Sequence, residues 1–216
     1  MRDMETQRLS GRRAQAARND EVILEAARAV FTSKPDAPIS AVAERAGVGI
    51  GALYRRYRSK DELLQRLSLE TLGRYQDAAD RALAAASDPW GAFTEFLRSC
   101  VAAGSGALSI RLAGAYTITP DIVAAATAAH HRTQALLDRM RAAKVIRPEI
   151  EVGDISLLLE QLQAVRISDA GRTAVLRQRY LTIMLDGLRA GNHADLPGPA
   201  PDWTEIGRRY EDDLAG

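Results

Sequence analysis

The 216-residue sequence has one cysteine, Cys100. No internal disulfide can form, and one thiol cannot build a zinc site by itself. Only three histidines are present. His130 and His131 are adjacent, so on a helix they point about 100° apart and cannot make the i,i+4 metal pair. His193 stands alone, and nothing in the pattern brings Asp138 or Glu160 to a histidine. A nucleophile elbow, a Walker loop and a two-carboxylate constellation are all missing. These absences argue against an enzyme, a metal and a cofactor. No apolar run approaches the ~18–20 residues of a membrane span, and the opening MRDMETQRLSGRRAQ is too polar for a secretory segment. A cytoplasmic chain without a membrane partner is expected. Alternating β-branched residues are lacking as well, which excludes a sheet-rich fold.

What remains is helix. With 46% hydrophobic and 26% charged residues, the chain has a globular composition, and its length suits one large domain or two small ones. Apolar residues recur every three or four positions from residue 19 onward, so the fold class expected is all-α. Asn19 is a candidate N-cap for a first helix with an apolar face of Val22, Ile23, Ala26, Ala27, Val30 and Phe31. Lys34-Pro35-Asp36-Ala37-Pro38 ends it, and Pro38 suits the first turn of the next. Ser59 and Glu62 are spaced as a capping box opening a long helix with Leu64, Leu67, Leu72, Tyr75, Ala79 and Ala82 on one face. Asp88-Pro89, Thr119-Pro120 and Val152-Gly153-Asp154 open three more. The last strong helix is expected over about 172–190, with Gly191 as its stop.

Charge is unevenly spread. Residues 1–60 hold 12 Lys and Arg against 7 Asp and Glu, whereas the remainder is acidic. A basic front end on an acidic chain hints at nucleic acid at one end only, although such runs also occur as plain solvated surface.

The stretch AERAGVGIGALYRRYRSKDEL, residues 43–63, concentrates the signal. Its G-x-G-x-G spacing resembles a dinucleotide fingerprint, but that motif needs a preceding strand, and Ile39, Val42, Ala43 and Ala46 have helical spacing. Two short helices, about 39–46 and 50–57, joined by a tight turn explain more positions. Ala43 is small where the backbones approach, Gly47 suits positive φ, Val48 plugs the angle, and Leu53 packs down onto Val42. Gly49, Ile50, Gly51, Ala52, Tyr54, Arg55 and Arg56 are left facing outward. A second helix presenting its N-terminal end is the geometry of a major-groove reader. Tyr54 can alternatively cover the motif's own core, and Arg55 and Arg56 can be solvated charge.

The run ILEAARAVF…ISAVAERAGVGIGALYRRYRSKDELL resembles the N-terminal domain of the tetracycline-repressor (TetR) family of bacterial regulators. The likeness covers about 19–67. It implies an arm over 1–18, with Arg8, Arg12, Arg13 and Arg18 either solubilising or reaching DNA, a DNA-binding domain over 19–66 with its motif at about 39–57, and a helical effector-binding and dimerisation domain over 67–216. Carried over by position, Ile50, Gly51, Tyr54 and Arg56 match places that touch bases or nearby backbone, Ser40 a groove-facing place, and Lys60 a phosphate contact. Ala52 stands where the family often has a phosphate-bonding threonine, so that contact is missing here. The connection from Phe31 to Ile39 lacks the family's usual glycine.

The same resemblance implies a homodimer on an inverted-repeat, double-stranded operator. Val175, Leu176, Tyr180, Leu181, Met184, Leu185 and Leu188 make a stripe too broad for one partner helix. With Ile155, Leu158, Leu159 and Leu162 it suits either a four-helix bundle across a two-fold axis or an intrachain core. Trp90, Phe93, Phe96, Leu112, Tyr116, Leu137 and Met140 correspond to helices that enclose a mostly apolar effector cavity in the family. The expected role is a repressor whose operator binding a small molecule alters. An activator, a non-specific DNA binder, and an enzyme or carrier with an inactive head are the alternatives.

Overall fold

Helices begin where side chains can satisfy their first backbone N–H groups. The computed structural model describes residues 19–34, 36–85, 87–104, 116–191, 193–202 and 204–206. Among these, helices follow one another as α1 (19–33), α2 (Ile39–Ala46), α3 (Ile50–Arg56), α4 (Lys60–Ala84), α5 (Pro89–Ala103), α6 (Pro120–Ala142), α7 (Val152–Ala164) and α8 (Ala170–Leu188), with 204–206 also helical. The arm over 1–18 and Leu112 lie outside the described residues.

Several starts follow the expected chemistry. Asp88 accepts from the Gly91 N–H ahead of Pro89, and Thr119 accepts from the Ile122 N–H ahead of Pro120. At α4 the Ser59 hydroxyl accepts from the Glu62 N–H at 3.0 Å, while the Glu62 carboxylate takes the N–H of Arg58 at 2.7 Å. At α7 the box is Glu151 with Asp154. Pro38 is the N-cap of α2 rather than a first-turn residue. Asn19 is already helical, so it is not a cap. On α1, Leu24 is buried whereas Val22 is 49% exposed, so the inward face is rotated from the one expected.

The end of α8 also differs from expectation. It stops at Leu188, before Gly191. The segment 145–147 pairs there with 188–190: Arg147 donates to the Leu188 carbonyl, Ala190 donates to that of Val145, and Ile146 bridges Arg189. Extended pairing takes the groups that another helical turn would have used. The opposite end of α4 is closed from outside. The Arg139 guanidinium on α6 donates to the carbonyls of Ala82, Leu83 and Ala85, where the helix dipole favours a cation.

The chain divides into two compact units. Of the described residues the first holds those from 19 to 67 together with Tyr116 and Thr117, and its core includes Ile23, Ala27, Phe31, Val42, Leu53, Leu63 and Leu64. The second holds the rest. Its core runs from Ala78 and Ala79 through Phe93, Phe96, Leu97 and Cys100 to Leu137, Met140, Ile155, Leu159, Leu181 and Leu185. Tyr116 belongs to the first unit, not to this core.

The tail after α8 is pinned at Gly153, in the first turn of α7. A Cβ there would lie 2.1 Å from the Pro201 carbonyl oxygen and 2.9 Å from its Cγ. Further along the tail Ile206 is buried, and Arg147 donates to the Ala194 carbonyl at 2.7 Å. Gly153→Ala is therefore expected to push the tail off α7 and cost about 1–3 kcal/mol, the range for overpacking. Chemical denaturation and limited proteolysis would register it. Unchanged stability with an uncut tail would refute the contact.

Candidate nucleic-acid interface

The turn between α2 and α3 is built on one left-handed residue. Gly47 has φ 66° and ψ 27°, a conformation that costs a residue with a Cβ roughly 1–2 kcal/mol. Its N–H donates to the Glu44 carbonyl at 3.1 Å, and the Val48 N–H donates to that of Ala43 at 3.0 Å. The two helices meet over Val42 and Leu53, both fully buried, with Ala43 beside them and Val48 half-buried in the angle. All four expected motif residues thus sit at the turn or under it.

The outward face of α3 is unusually apolar for solvent. Ile50 is 43% and Tyr54 48% exposed, while Gly49, Gly51, Ala52 and Arg55 lie open beside them, as does Ser40 on α2. Gly49 and Gly51 both have room for a Cβ: nothing lies within 4 Å of the first, and only Arg55 Nη1, at 3.8 Å, of the second. Neither glycine is required by packing, so what each contributes is a bare surface. Tyr54 does not cover the core. Tyr57 does, at 3% exposure.

Two expected DNA contacts are committed within the unit. Arg56 donates through Nε to Asp20 Oδ1 at 2.8 Å and through Nη2 to Oδ2 at 2.6 Å. The Tyr57 hydroxyl donates to the same Oδ1 at 2.5 Å. Lys60 Nζ donates to the Ala37 carbonyl at 2.9 Å and lies 5.1 Å from the centre of the Phe31 ring. Asp20, near the start of α1, is buried. No sequence signal links it to Arg56, 36 residues away. The Arg56 hydrogen bond holds the Asp20 carboxyl below its usual range, against the opposing effect of burial. Its contribution to stability is then complete above about pH 4 and is lost as pH falls through the lower folded-state value. Burial raises the Tyr57 hydroxyl, and the carboxylate beside it adds to the effect.

In the second unit the expected effector residues are mostly packed core. Phe93, Phe96, Leu137 and Met140 are almost wholly buried. Phe96 meets Tyr75 edge-on at 5.1 Å and Phe93 at 6.1 Å between ring centres. Trp90 is half-buried under the Arg189 guanidinium, 4.9 Å from its ring centre. Among the described residues a cleft of about 200 Å³ opens elsewhere, between α4 and α5, lined by Arg74, Asp77, Ala78, Arg81, Ser99, Cys100 and Ala103. Cys100 is buried at its edge, and burial pushes its thiol up to about 12. His130 is shifted downward by burial and by its neighbour His131. No cluster able to hold a metal occurs among the described residues, and no described helix is long and apolar enough to cross a membrane.

The expected dimer stripe divides in two. Ile155, Leu159, Leu162, Leu181, Leu185 and Leu188 are buried within the chain. Leu158, Leu176 and Met184 are half-buried. Val175 at 56%, Tyr180 at 44% and Ile183 at 57% face outward. Ile183 was not expected there. It completes a line Leu176–Tyr180–Ile183–Gly187, spaced i, i+4, i+7, i+11 along one helical face.

Comparison with known proteins agrees with this arrangement. Residues 23–67 match "Bacterial regulatory proteins, tetR family", and residues 88–190 match "Transcriptional regulator SbtR-like, C-terminal domain". Similar solved structures include the TetR transcriptional regulator SCO0520 from Streptomyces coelicolor, at 26% identity and TM-score 0.56, covering 79% of this chain and 98% of that one. A TetR regulatory protein from Mycobacterium vanbaalenii has 29% identity and TM-score 0.57, covering 82% and 98%. LfrR from Mycobacterium smegmatis, solved in complex with proflavine, shares the fold at 21% identity and TM-score 0.55, covering 78% and 96%. No curated protein sequence matches the chain significantly. With a match to the family's N-terminal model over 23–67 and to a C-terminal regulator model over 88–190, the chain belongs to the TetR family of bacterial DNA-binding transcriptional regulators.

Proposed function

We propose that the protein is a homodimeric repressor that reads an inverted-repeat operator with α3 and releases or rebinds it in response to a small effector. The exposed, bare face of α3 is the observation that supports this most. Ile50, Gly51, Ala52 and Tyr54 stand open on a helix whose other side is anchored by Leu53. Apolar groups on such a face suit thymine methyls, and the Tyr54 hydroxyl suits a phosphate or a base edge. Ser40, Gly49 and Arg55 flank them. Lys60 and Arg56 reach phosphate only with whatever donors their internal partners leave.

A two-fold operator needs two copies of α3. The outward line on α8, with Leu158 on α7, provides an apolar surface for the second copy. Effector sensing fits the SbtR-like helical domain. The packed aromatic core argues for a ligand site elsewhere in the second unit, and the cleft with Arg74, Asp77 and Arg81 is one opening there. Such a site suits a ligand with polar or charged groups better than a purely apolar one. Couplings of this kind are typically about 1–3 kcal/mol.

Selection of bound duplexes from a random pool at near-physiological salt tests the reading. An enriched inverted repeat is expected. Salt-sensitive binding without an enriched sequence would instead identify a non-specific binder.

A further inference from the structure

The reading helix is short. α3 has seven residues and one fully buried side chain, Leu53. A helix of under two turns has little stability of its own, so its pitch depends on what holds its ends. Gly47 and the turn hold the first end. At the other, the last helical residue Arg56 and the C-cap Tyr57 both reach one carboxylate on α1. Asp20 accepts three hydrogen bonds there, two from the guanidinium fork and one from the phenol. A bidentate charged pair is directional as well as strong. The Asp20 side chain is 11% exposed and that of Arg56 55% exposed. Arg56 Nη1 takes no part in the two bonds to Asp20.

We propose that Asp20 is a positioning residue for operator recognition: through Arg56 and Tyr57 it sets the pitch of α3 on α1 and turns the outer edge of the Arg56 guanidinium away from the protein. This rests on the operator-reading function proposed above. Base readout needs the α3 side chains in register with base edges, whereas non-specific attraction needs only charge near phosphate. The two kinds of binding therefore respond oppositely when Asp20 is changed. Neutralising it loosens α3 and frees Arg56. Operator affinity falls while affinity for random duplex holds or rises, because one negative charge has gone. General unfolding would lower both affinities, and an electrostatic effect alone would raise both.

The experiment compares full-length wild type with Asp20→Asn, Arg56→Ala and the double variant. Each is titrated with the selected operator and with a random duplex across a salt series, after thermal melting has verified the fold. Asp20→Asn is expected to weaken operator binding about 10–100-fold, the equivalent of one or two charged hydrogen bonds, without weakening random-duplex binding. Added to Arg56→Ala, it should cost less than it does alone. Equal changes on both duplexes, or none on the operator, would overturn the proposal. If Asp20→Asn does not fold, Tyr57→Phe serves, since it keeps the ion pair and removes one bond. It should lower operator binding several-fold with random-duplex binding unchanged, and no operator loss would count against the clamp. Wild type that does not prefer the selected operator would bring down the regulatory reading itself, and that result is visible before any variant is made.

Discussion

Phe96→Ala is expected to destabilise the protein by about 3–5 kcal/mol, the range for truncating a buried aromatic side chain. Phe96 is 2% exposed and lies within the apolar core of the second unit. It is sandwiched between Tyr75 and Phe93, so the substitution removes two ring contacts as well as buried area. Tyr75 cannot easily follow into the space, because its hydroxyl is held by Thr133 at 2.7 Å. The cavity should therefore persist rather than collapse, which places the cost toward the upper part of that range. Urea unfolding at equilibrium measures it directly. A loss under about 1 kcal/mol would mean that Phe96 faces open space and lines a ligand cavity after all. An unexpected gain of affinity for small apolar compounds in the variant, with wild type not binding them, would support the packed-core reading, since a truncation site in a dry core makes such a cavity.

That residue shows why part of the protein could be read from sequence and part could not. Local geometry was legible. Gly47, Ser59, Asp88 and Thr119 all act within a few positions of themselves, so a turn or a cap leaves its mark in adjacent letters. The family resemblance placed Phe93, Phe96, Leu137 and Met140 on helices around an effector cavity, but a resemblance of helices does not say whether the inside is filled. The same limit applies to α8. Spacing placed Leu176, Tyr180, Leu181 and Leu185 on one broad stripe, and only the packing separates Leu181 and Leu185, buried in the chain, from Tyr180, left outside. Asp20 with Arg56 was beyond reach for a different reason. Arg56 reads as a candidate DNA contact and Asp20 carries no motif, and their pairing depends on how α1 crosses α3. The end of α8 was misplaced similarly, because pairing with 145–147 decides it instead of Gly191.

Ile183→Arg is expected to raise the dimer dissociation constant by at least about 100-fold, with operator affinity falling in step. The argument starts from what the single chain leaves uncovered. Ile183 is 57% exposed, and Gly187, one turn on, has no atom within 4 Å of where its Cβ would be. A flat apolar line ending in a bare glycine lets a second helix come close. In a two-fold assembly any substitution on this face acts twice, since each copy contributes it. A guanidinium placed there loses its water on association and meets its own counterpart or Arg172 and Arg179, which lie 11 and 4 positions before it on the same face of α8. Burying an unpaired charge costs about 3–5 kcal/mol, enough to account for the loss with one copy alone. The monomer should keep its fold, because the same side chain stands in solvent before association. Sedimentation velocity across a dilution series separates the outcomes. A folded monomer with weak, non-palindromic DNA binding would place the interface on this face of α8. A dimer of unchanged affinity would move the interface elsewhere and leave the outward line of Leu176, Tyr180 and Ile183 without its partner.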